Sequence, residues 1–129
     1  GFAMAASDLG KQREADMKAI GGAIKTSAGF ATGKVPFDAA AAKAAMETVA
    51  AKATDFPTLF PAGSENADQG ASPKIWENFD DFKAKAAKLQ TDATTLLAAL
   101  PADQAAVGAA VKTLGADCGA CHETYRLKD

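Results

Sequence analysis

The chain has 129 residues, enough for a substantial core, and we expect a single domain over residues 1–129. Apolar residues make up 48% of the sequence but aromatic residues only 7%, and the abundance of alanine favours helices over strands. The net charge of −2 gives no basic surface for nucleic acid, and no apolar stretch approaches the roughly 20 residues that cross a bilayer. Composition therefore predicts an all-α protein with no nucleic-acid partner and no membrane insertion.

The first predicted helix covers residues 7–32. Its apolar face repeats at spacings of four and three residues, the period of an amphipathic helix, through Leu9, Arg13, Met17, Ile20 and Ile24. The pair Gly21 and Gly22 lies within this pattern, where each glycine costs about 1 kcal/mol relative to alanine. We expect this pair to allow a close approach by another helix or by a second subunit.

The second predicted helix covers residues 36–55, with Asp38 as its N-cap. Its shallow apolar face contains Ala45, Met46, Val49 and Ala53. Pro57 and Pro61 end this helix, and residues 56–72 are predicted to form a loop that is long for a compact domain. Such a loop is either packed or functional, and we favour packing through Phe56, Leu59 and Phe60.

A third helix is predicted from Ser72, its N-cap, to Leu100, with Pro101 as the terminator. Its apolar residues alternate spacings of four and three without a break, through Ile75, Phe79, Phe82, Ala86, Leu89, Ala93, Leu96 and Leu100. A fourth helix after Pro101 continues the alternation through Val107, Val111, Leu114, Cys118, Cys121 and Tyr125. Four helices with mostly short connections predict an antiparallel up-and-down four-helix bundle.

The most specific motif is Cys118-Gly119-Ala120-Cys121-His122. Two cysteines three residues apart, followed by a histidine, form the attachment signature of a c-type haem. The thiols add to the two vinyl groups of the porphyrin, and the histidine supplies a neutral nitrogen to the iron. At about 100° per residue, a helix places all three side chains on one face. We therefore predict one haem c, covalently bound through Cys118 and Cys121 and ligated by His122, inside the bundle.

Three other interpretations of this motif stay open. A redox dithiol fits two cysteines, but it is typical of a helix start in a βαβ pattern, which this sequence lacks. A structural zinc site needs four ligands, whereas the chain has two cysteines and one histidine. The third interpretation is a pair of core cysteines beside an incidental histidine.

The chain also resembles the cytochrome c prime family of four-helix periplasmic haem proteins. The segments that carry this resemblance are Arg13-Glu14-Ala15-Asp16-Met17, Pro36-Phe37-Asp38, Pro73-Lys74-Ile75-Trp76 and Cys118 through Arg126. The resemblance spans nearly the whole chain, although only the C-terminal segment is specific. It implies a periplasmic location and a homodimer formed through the first two helices.

The resemblance further implies roles around the haem. Met17 matches the position that covers the second face of the ring, where it either crowds the iron or bonds it as a sixth ligand. Arg13 either pairs with a haem propionate or is a solvated surface residue. Arg126 is expected near His122, to tune it or to meet a ligand. Of the remaining cofactor-binding candidates, Trp76, Phe79 and Phe82 are core residues that form part of the apolar wall, and Tyr125 packs with its hydroxyl on a partner.

Two functions follow, depending on the sixth iron position. In the first, which we favour, Met17 crowds the iron, and the protein binds small diatomic gases such as nitric oxide or carbon monoxide and is also able to transfer electrons. In the second, Met17 is the sixth ligand of a low-spin electron carrier that serves a redox partner protein of unknown identity. No enzyme is expected, because the chain has no second histidine to act as a distal acid–base group.

Overall fold

Four long helices form the fold. A computed structural model describes residues 5–128, without the side chains of residues 6 and 7. The helices are α1 (Ala6–Ala31), α2 (Ala39–Asp55), the one-turn α3 (Lys74–Glu77), α4 (Phe79–Ala98) and α5 (Gln104–Tyr125). Each long helix packs against two others, in the order α1, α2, α4, α5 and back to α1. This arrangement confirms the predicted all-α four-helix bundle. Within residues 5–128, no helix has both the length and the apolar character needed to cross a membrane.

The helix ends follow local chemistry. The Asp38 carboxylate accepts a hydrogen bond from the Ala41 N–H at 3.0 Å, which confirms it as the cap of α2. Asp103 caps α5 in the same way, accepting from the Ala106 N–H at 2.9 Å. Gly33 follows the end of α1 with a φ of +77°, a left-handed conformation that glycine adopts without strain. The predicted apolar face of α2 is confirmed, because Ala45, Met46, Val49 and Ala53 are all buried.

The prediction of one unbroken third helix is wrong. Asn78 leaves the helical conformation, with a φ of −132° and a ψ of 49°, and separates α3 from α4. Asparagine competes poorly for helix interiors because its side chain and backbone favour turns. The spacing of apolar residues nevertheless continues across Asn78, because Ile75 before it and Phe82 after it pack into the same cluster. Leu100 lies beyond α4 and is 42% exposed, so its predicted place in the core is also wrong.

The core has two main parts. The central cluster lies between the long helices and is formed by Ile20, Ala23, Ala45, Met46, Val49, Ala53, Leu89, Ala93 and Leu114. The aromatic cluster lies near the loop between α2 and α3 and is formed by Leu9, Leu59, Phe60, Ile75, Phe82 and Tyr125. Leu59 and Phe60 are buried and Phe56 packs against their cluster, which confirms the predicted packing. The predicted loop is shorter than expected, because Phe56–Leu59 form a 3-10 helix.

Candidate cofactor site

A cavity of about 720 Å³ lies between α1, α4 and α5, and residues 68–71 of the loop form a further part of its wall. This volume is within the range of pockets that bind cofactors. Helix α5 contributes Cys118, Cys121 and His122 to the lining, and α1 contributes Met17. The cavity therefore brings together the predicted attachment residues and the predicted distal residue, which are about 100 positions apart in the chain.

The two cysteines line the cavity and pack against different parts of the core. Cys118 packs against the central cluster and Cys121 against the aromatic cluster. Burial, together with the negative charge of Asp117, raises the pKa of the Cys118 thiol. Burial also raises the pKa of Cys121, to about 11. Redox dithiols depend on a lowered thiol pKa, so this environment argues against that interpretation.

A zinc site finds no support either. Within the described part of the chain, no group of three or more His, Cys, Asp or Glu side chains is placed to hold a metal ion. His122 is half-buried, and burial together with the positive charge of Arg126 lowers its pKa. The imidazole is therefore neutral at neutral pH, which is the form that ligates a metal.

Met17 is half-buried and packs against the central cluster, as Cys118 does. Its neighbours on the cavity-lining face of α1 are of two kinds. Ile20 and Ile24 make the wall apolar, whereas Glu14 and Lys18 lie at the surface and pair with each other at 3.0 Å. The Met17 thioether thus stands in an apolar part of the wall.

Arg13 lines the cavity but is only 3% exposed, so a solvated surface position is wrong. Its Nε donates to the Leu59 carbonyl at 3.0 Å and its Nη1 to Asp68 Oδ2 at 2.9 Å. Its Nη2 donates to the Ser64 carbonyl at 3.2 Å and to Ser64 Oγ at 2.7 Å. The guanidinium carbon also lies 4.1 Å from the centre of the Phe60 ring. Arg13 therefore binds the loop to α1, and four of its five N–H groups are used in doing so.

The predicted aromatic candidates occupy two different places. Phe82 and Tyr125 line the cavity, and their ring centres are 5.4 Å apart. The Tyr125 hydroxyl donates to Asp81 Oδ2, so it has the expected partner. Trp76 and Phe79 line a separate cleft beside the loop, which differs from the expectation that they form the cavity wall. Trp76 Nε1 instead donates to the Pro61 carbonyl at 3.1 Å.

Arg126 lies just beyond α5 and also lines the cavity. The adjoining backbone is joined to the loop, because the Ser72 N–H donates to the Tyr125 carbonyl at 3.0 Å and the Leu127 N–H to the Gly70 carbonyl at 2.8 Å. The loop is thus held from two sides, by Arg13 of α1 and by the end of α5.

Sequence reasoning missed Gly10 and Asp117, both of which line the cavity. A Cβ atom added to Gly10 would lie 2.2 Å from the Ala67 carbonyl oxygen, so the loop approaches α1 at this glycine. Gly21 and Gly22 have no such neighbour, since nothing in the described structure lies within 4 Å of a Cβ added there. The expected close approach of another helix of the same chain to Gly21 and Gly22 is therefore wrong. The sequence carried a signal for this contact, because a glycine inside a helical pattern, such as Gly10, often has a packing reason.

Comparison with known proteins identifies the family. The family described as Cytochrome C' matches residues 8–126. The chain belongs to the cytochrome c' family. A cytochrome c-556 from Agrobacterium fabrum is 59% identical over 128 residues, which cover 99% of this chain and 86% of the relative. The structure of cytochrome c' from Rhodopseudomonas palustris has a TM-score of 0.87 at 33% identity, covering 95% of this cytochrome and 98% of that chain.

A further structural relative is a nitric oxide complex of a mutant cytochrome c prime from Alcaligenes xylosoxidans. It has a TM-score of 0.86 at 31% identity and covers 100% of both chains. Cytochromes of this family carry haem c, and the cavity of this cytochrome fits that group. Two thiols and a neutral imidazole from one helix line an otherwise largely apolar cavity of suitable volume.

Proposed function

We propose that this cytochrome is an electron carrier whose haem iron is held by His122 of α5 and Met17 of α1, with the ring attached through Cys118 and Cys121. One observation carries the choice of Met17. Among the described residues of α1 that line the cavity, it alone offers a donor atom that is neither bonded elsewhere nor at the surface. Arg13 is bonded to the loop, and Glu14 pairs with Lys18.

Histidine and methionine are the axial pair of electron-transferring cytochromes, in which the thioether raises the reduction potential. The haem supplies a centre that gains and loses one electron. Met17 can reach toward it because methionine is unbranched and has a polarizable sulfur. Ile20 and Ile24 make the wall around Met17 apolar. This order reverses the sequence-based preference for crowding. The reason is that the Met17 sulfur is the uncommitted donor on the cavity side of α1, since Arg13 is bonded to the loop and Glu14 is paired with Lys18.

The comparisons establish the family but do not choose between the two candidate functions. The relative that shares 59% identity is named cytochrome c-556, and a relative that shares 31% was solved as a nitric oxide complex. Neither name states the iron ligands of this chain, so the proposal rests on the position of Met17 in the cavity wall.

Gas binding is the second candidate. The relative from Alcaligenes xylosoxidans was solved as a nitric oxide complex, which shows that a protein of this fold binds that gas. In this case Met17, Ile20 and Ile24 would crowd the sixth position without bonding, and nitric oxide or carbon monoxide would displace only packing contacts. Both candidates are binding or electron-transfer functions, so we propose no enzymatic activity for this cytochrome.

A visible spectrum separates the two candidates. The reduced holoprotein is recorded before and after addition of carbon monoxide, together with Met17→Leu, which keeps the apolar volume but removes the sulfur. We expect a low-spin, unresponsive wild type and a high-spin Met17→Leu that binds carbon monoxide. Met46→Leu is the matched control, because Met46 is buried in the central cluster and does not line the cavity. A high-spin wild type that binds carbon monoxide would rule out the Met17 bond and establish gas binding.

We also propose that Arg13 and Arg126 bind the haem propionates. Arg13 keeps one N–H on Nη1, and Arg126 lines the same cavity. A guanidinium beside a carboxylate forms a charge-assisted hydrogen bond. Arg126→Gln should raise the pKa of the nearest propionate, measured by NMR titration of the oxidised holoprotein. An unchanged propionate titration would remove Arg126 from this role.

A homodimer in the periplasm completes the proposal. Gly22 is exposed on α1 and leaves open space beside the helix, which a second copy could approach closely. Covalent haem attachment of this kind supports a periplasmic location. Light scattering after size-exclusion chromatography tests the dimer, and Gly22→Glu should convert it to a monomer by placing a charge in the contact. A monomeric wild type at micromolar concentration would rule the dimer out, and recovery of the haem protein from the cytoplasmic fraction would rule out the location.

A further inference from the structure

Asp117 is a buried carboxylate in the wall of the haem cavity. It directly precedes Cys118, is 8% exposed and lines the cavity. Its Oδ1 lies 3.4 Å from Lys88 Nζ, a long contact for an ion pair. Its Oδ2 has no hydrogen-bond partner among the described residues. A buried carboxylate that keeps one oxygen unsatisfied is costly in its charged form.

The charges around Asp117 come from three helices. On α4, Lys88 is shared with Asp92, whose Oδ2 lies 2.9 Å from Nζ, and Lys85 of the same helix pairs with Asp81. On α1, the charged residues that line the cavity are Arg13, which pairs with Asp68, and Glu14 and Lys18, which pair with each other. On α5 itself, Cys118 follows directly.

The titration of Asp117 agrees with this geometry. Burial and the negative charge of Asp92 raise its pKa to about 6, although Lys88 opposes the rise. Asp92 is partly exposed, with 23% of its side chain accessible, and Lys88 is largely exposed. A proton from solvent can therefore reach this cluster without unfolding the bundle.

We propose that Asp117 is a redox-linked proton acceptor, which takes up one proton when the haem gains one electron. The electron comes from a reduced donor protein, and the proton comes from solvent and adds to the Asp117 carboxylate. Oxidation reverses both transfers. No bond to the iron is made or broken, and the total charge of the site stays constant.

The physical reason is charge compensation. In the oxidised state, the positive charge of the haem iron stabilises the nearby Asp117 carboxylate. Reduction removes that positive charge, while Asp92 and the apolar cavity wall remain, so the carboxylate becomes less stable and its pKa rises. A proton on Asp117 relieves both the burial cost and the repulsion from Asp92. The proposal requires only that haem is bound in the cavity. It does not depend on which ligand occupies the sixth position of the iron.

A potentiometric titration of the holoprotein at pH values from 5 to 8 tests the proposal. In the wild type, the reduction potential should fall with increasing pH over part of this range, approaching about 59 mV per pH unit for one proton per electron. Asp117→Asn should flatten this dependence and raise the potential at pH 8, because it removes a negative charge. Glu47→Gln is the matched control, since Glu47 is an exposed carboxylate on α2 that does not line the cavity.

Two further measurements exclude a merely structural role. Lys88→Gln removes the opposing positive charge, so the pH-dependent part of the curve should move to higher pH even if Asp117→Asn fails to fold. The reduced-minus-oxidised infrared spectrum should show a protonated carboxyl band that Asp117→Asn lacks. A wild-type slope that survives Asp117→Asn, a curve unmoved by Lys88→Gln, or the absence of the infrared band would overturn the proposal. The carbon monoxide test of the iron ligands is independent of all three.

Discussion

Arg13 Nη1 donates to Asp68 Oδ2 at 2.9 Å, which joins α1 to the loop wall of the haem cavity across 55 positions of sequence. Burial opposes the charge on Asp68, but hydrogen bonds from Arg13 and from the Gly70 and Ala71 N–H groups outweigh it and lower the Asp68 pKa. The pair is therefore a structural device that shapes the cavity, and any contact of Arg13 with a propionate is additional to this task.

Arg13→Lys should destabilise the protein. Lysine cannot reproduce the hydrogen bonds to Leu59 and Ser64, which leaves buried acceptors without donors. We expect a loss of about 2–4 kcal/mol in the free energy of unfolding, measured with urea at pH 7. In a double-mutant cycle with Asp68→Asn, the two losses should sum to more than the loss of the double variant, and strict additivity would contradict the pairing.

The same pair sets a pH dependence. Because the Asp68 pKa is lower in the folded state than its ordinary 3.8, the stability from its charge is fully present above pH 3.8 and is lost as the pH falls below it. Wild type should therefore lose more stability than Asp68→Asn between pH 4 and pH 2.5, as followed by thermal unfolding. Equal losses in the two proteins would show that Asp68 does not contribute.

Gly10→Ala should also be destabilising, although alanine is the better helix former by about 1 kcal/mol. The new Cβ would meet the Ala67 carbonyl oxygen at 2.2 Å, and backbone cannot rotate away as a side chain can. We expect a net loss of about 1–3 kcal/mol. Gly119→Ala on α5 is the control, because nothing in the described structure lies within 4 Å of a Cβ added there and only the gain in helix propensity remains. Thermal unfolding of both variants in parallel decides the matter, and equal stabilisation by both would disprove the close approach.

Asp16 is a buried carboxylate on α1, with 1% exposure. Its Oδ1 lies 3.7 Å from Lys52 Nζ, and its Oδ2 has no hydrogen-bond partner in the described structure. Burial and the nearby Asp55 raise its pKa to about 6 from 3.8. A raised carboxyl pKa means that the folded state binds the extra proton, so stability falls as the pH rises from about 4 to 6. Asp16→Asn should therefore stabilise the protein at pH 7, by about 1–3 kcal/mol, and have little effect at pH 4. Urea unfolding at both pH values tests this, with Glu47→Gln as a surface control, and an equal effect at both would contradict it.

Phe82→Ala should cost about 3–5 kcal/mol, because Phe82 is 1% exposed. Its ring centre is 4.8 Å from that of Phe60 and 5.4 Å from that of Tyr125. Phe79→Ala is the matched comparison, since Phe79 lines the outer cleft instead of the cavity, and it should cost less. Urea unfolding compares the two variants, and an equal or larger loss for Phe79→Ala would contradict this view of the cluster.

The fold was predictable because its determinants are local and repetitive. Alternating spacings of four and three residues, the Asp38 cap and the proline terminators depend on nearest neighbours along the chain. The break at Asn78 was missed because an apolar period reports only that Ile75 and Phe82 face the same cluster, and two separate helices satisfy this as well as one.

The sequence by itself determined the prediction of the attachment residues, because the spacing of Cys118, Cys121 and His122 places all three on one face of a helix. It also indicated Met17 as the residue of α1 that faces the second side of the haem. Only the tertiary structure decided the tasks of Arg13, Gly10 and Asp117. Arg13 binds the loop because Leu59, Ser64 and Asp68 fold back onto it. Asp117 has a raised pKa because it is buried and because Asp92 of α4 lies near it. These roles depend on contacts between residues that are distant in sequence. The spacing of apolar residues along the chain does not predict which of these residues will be in contact.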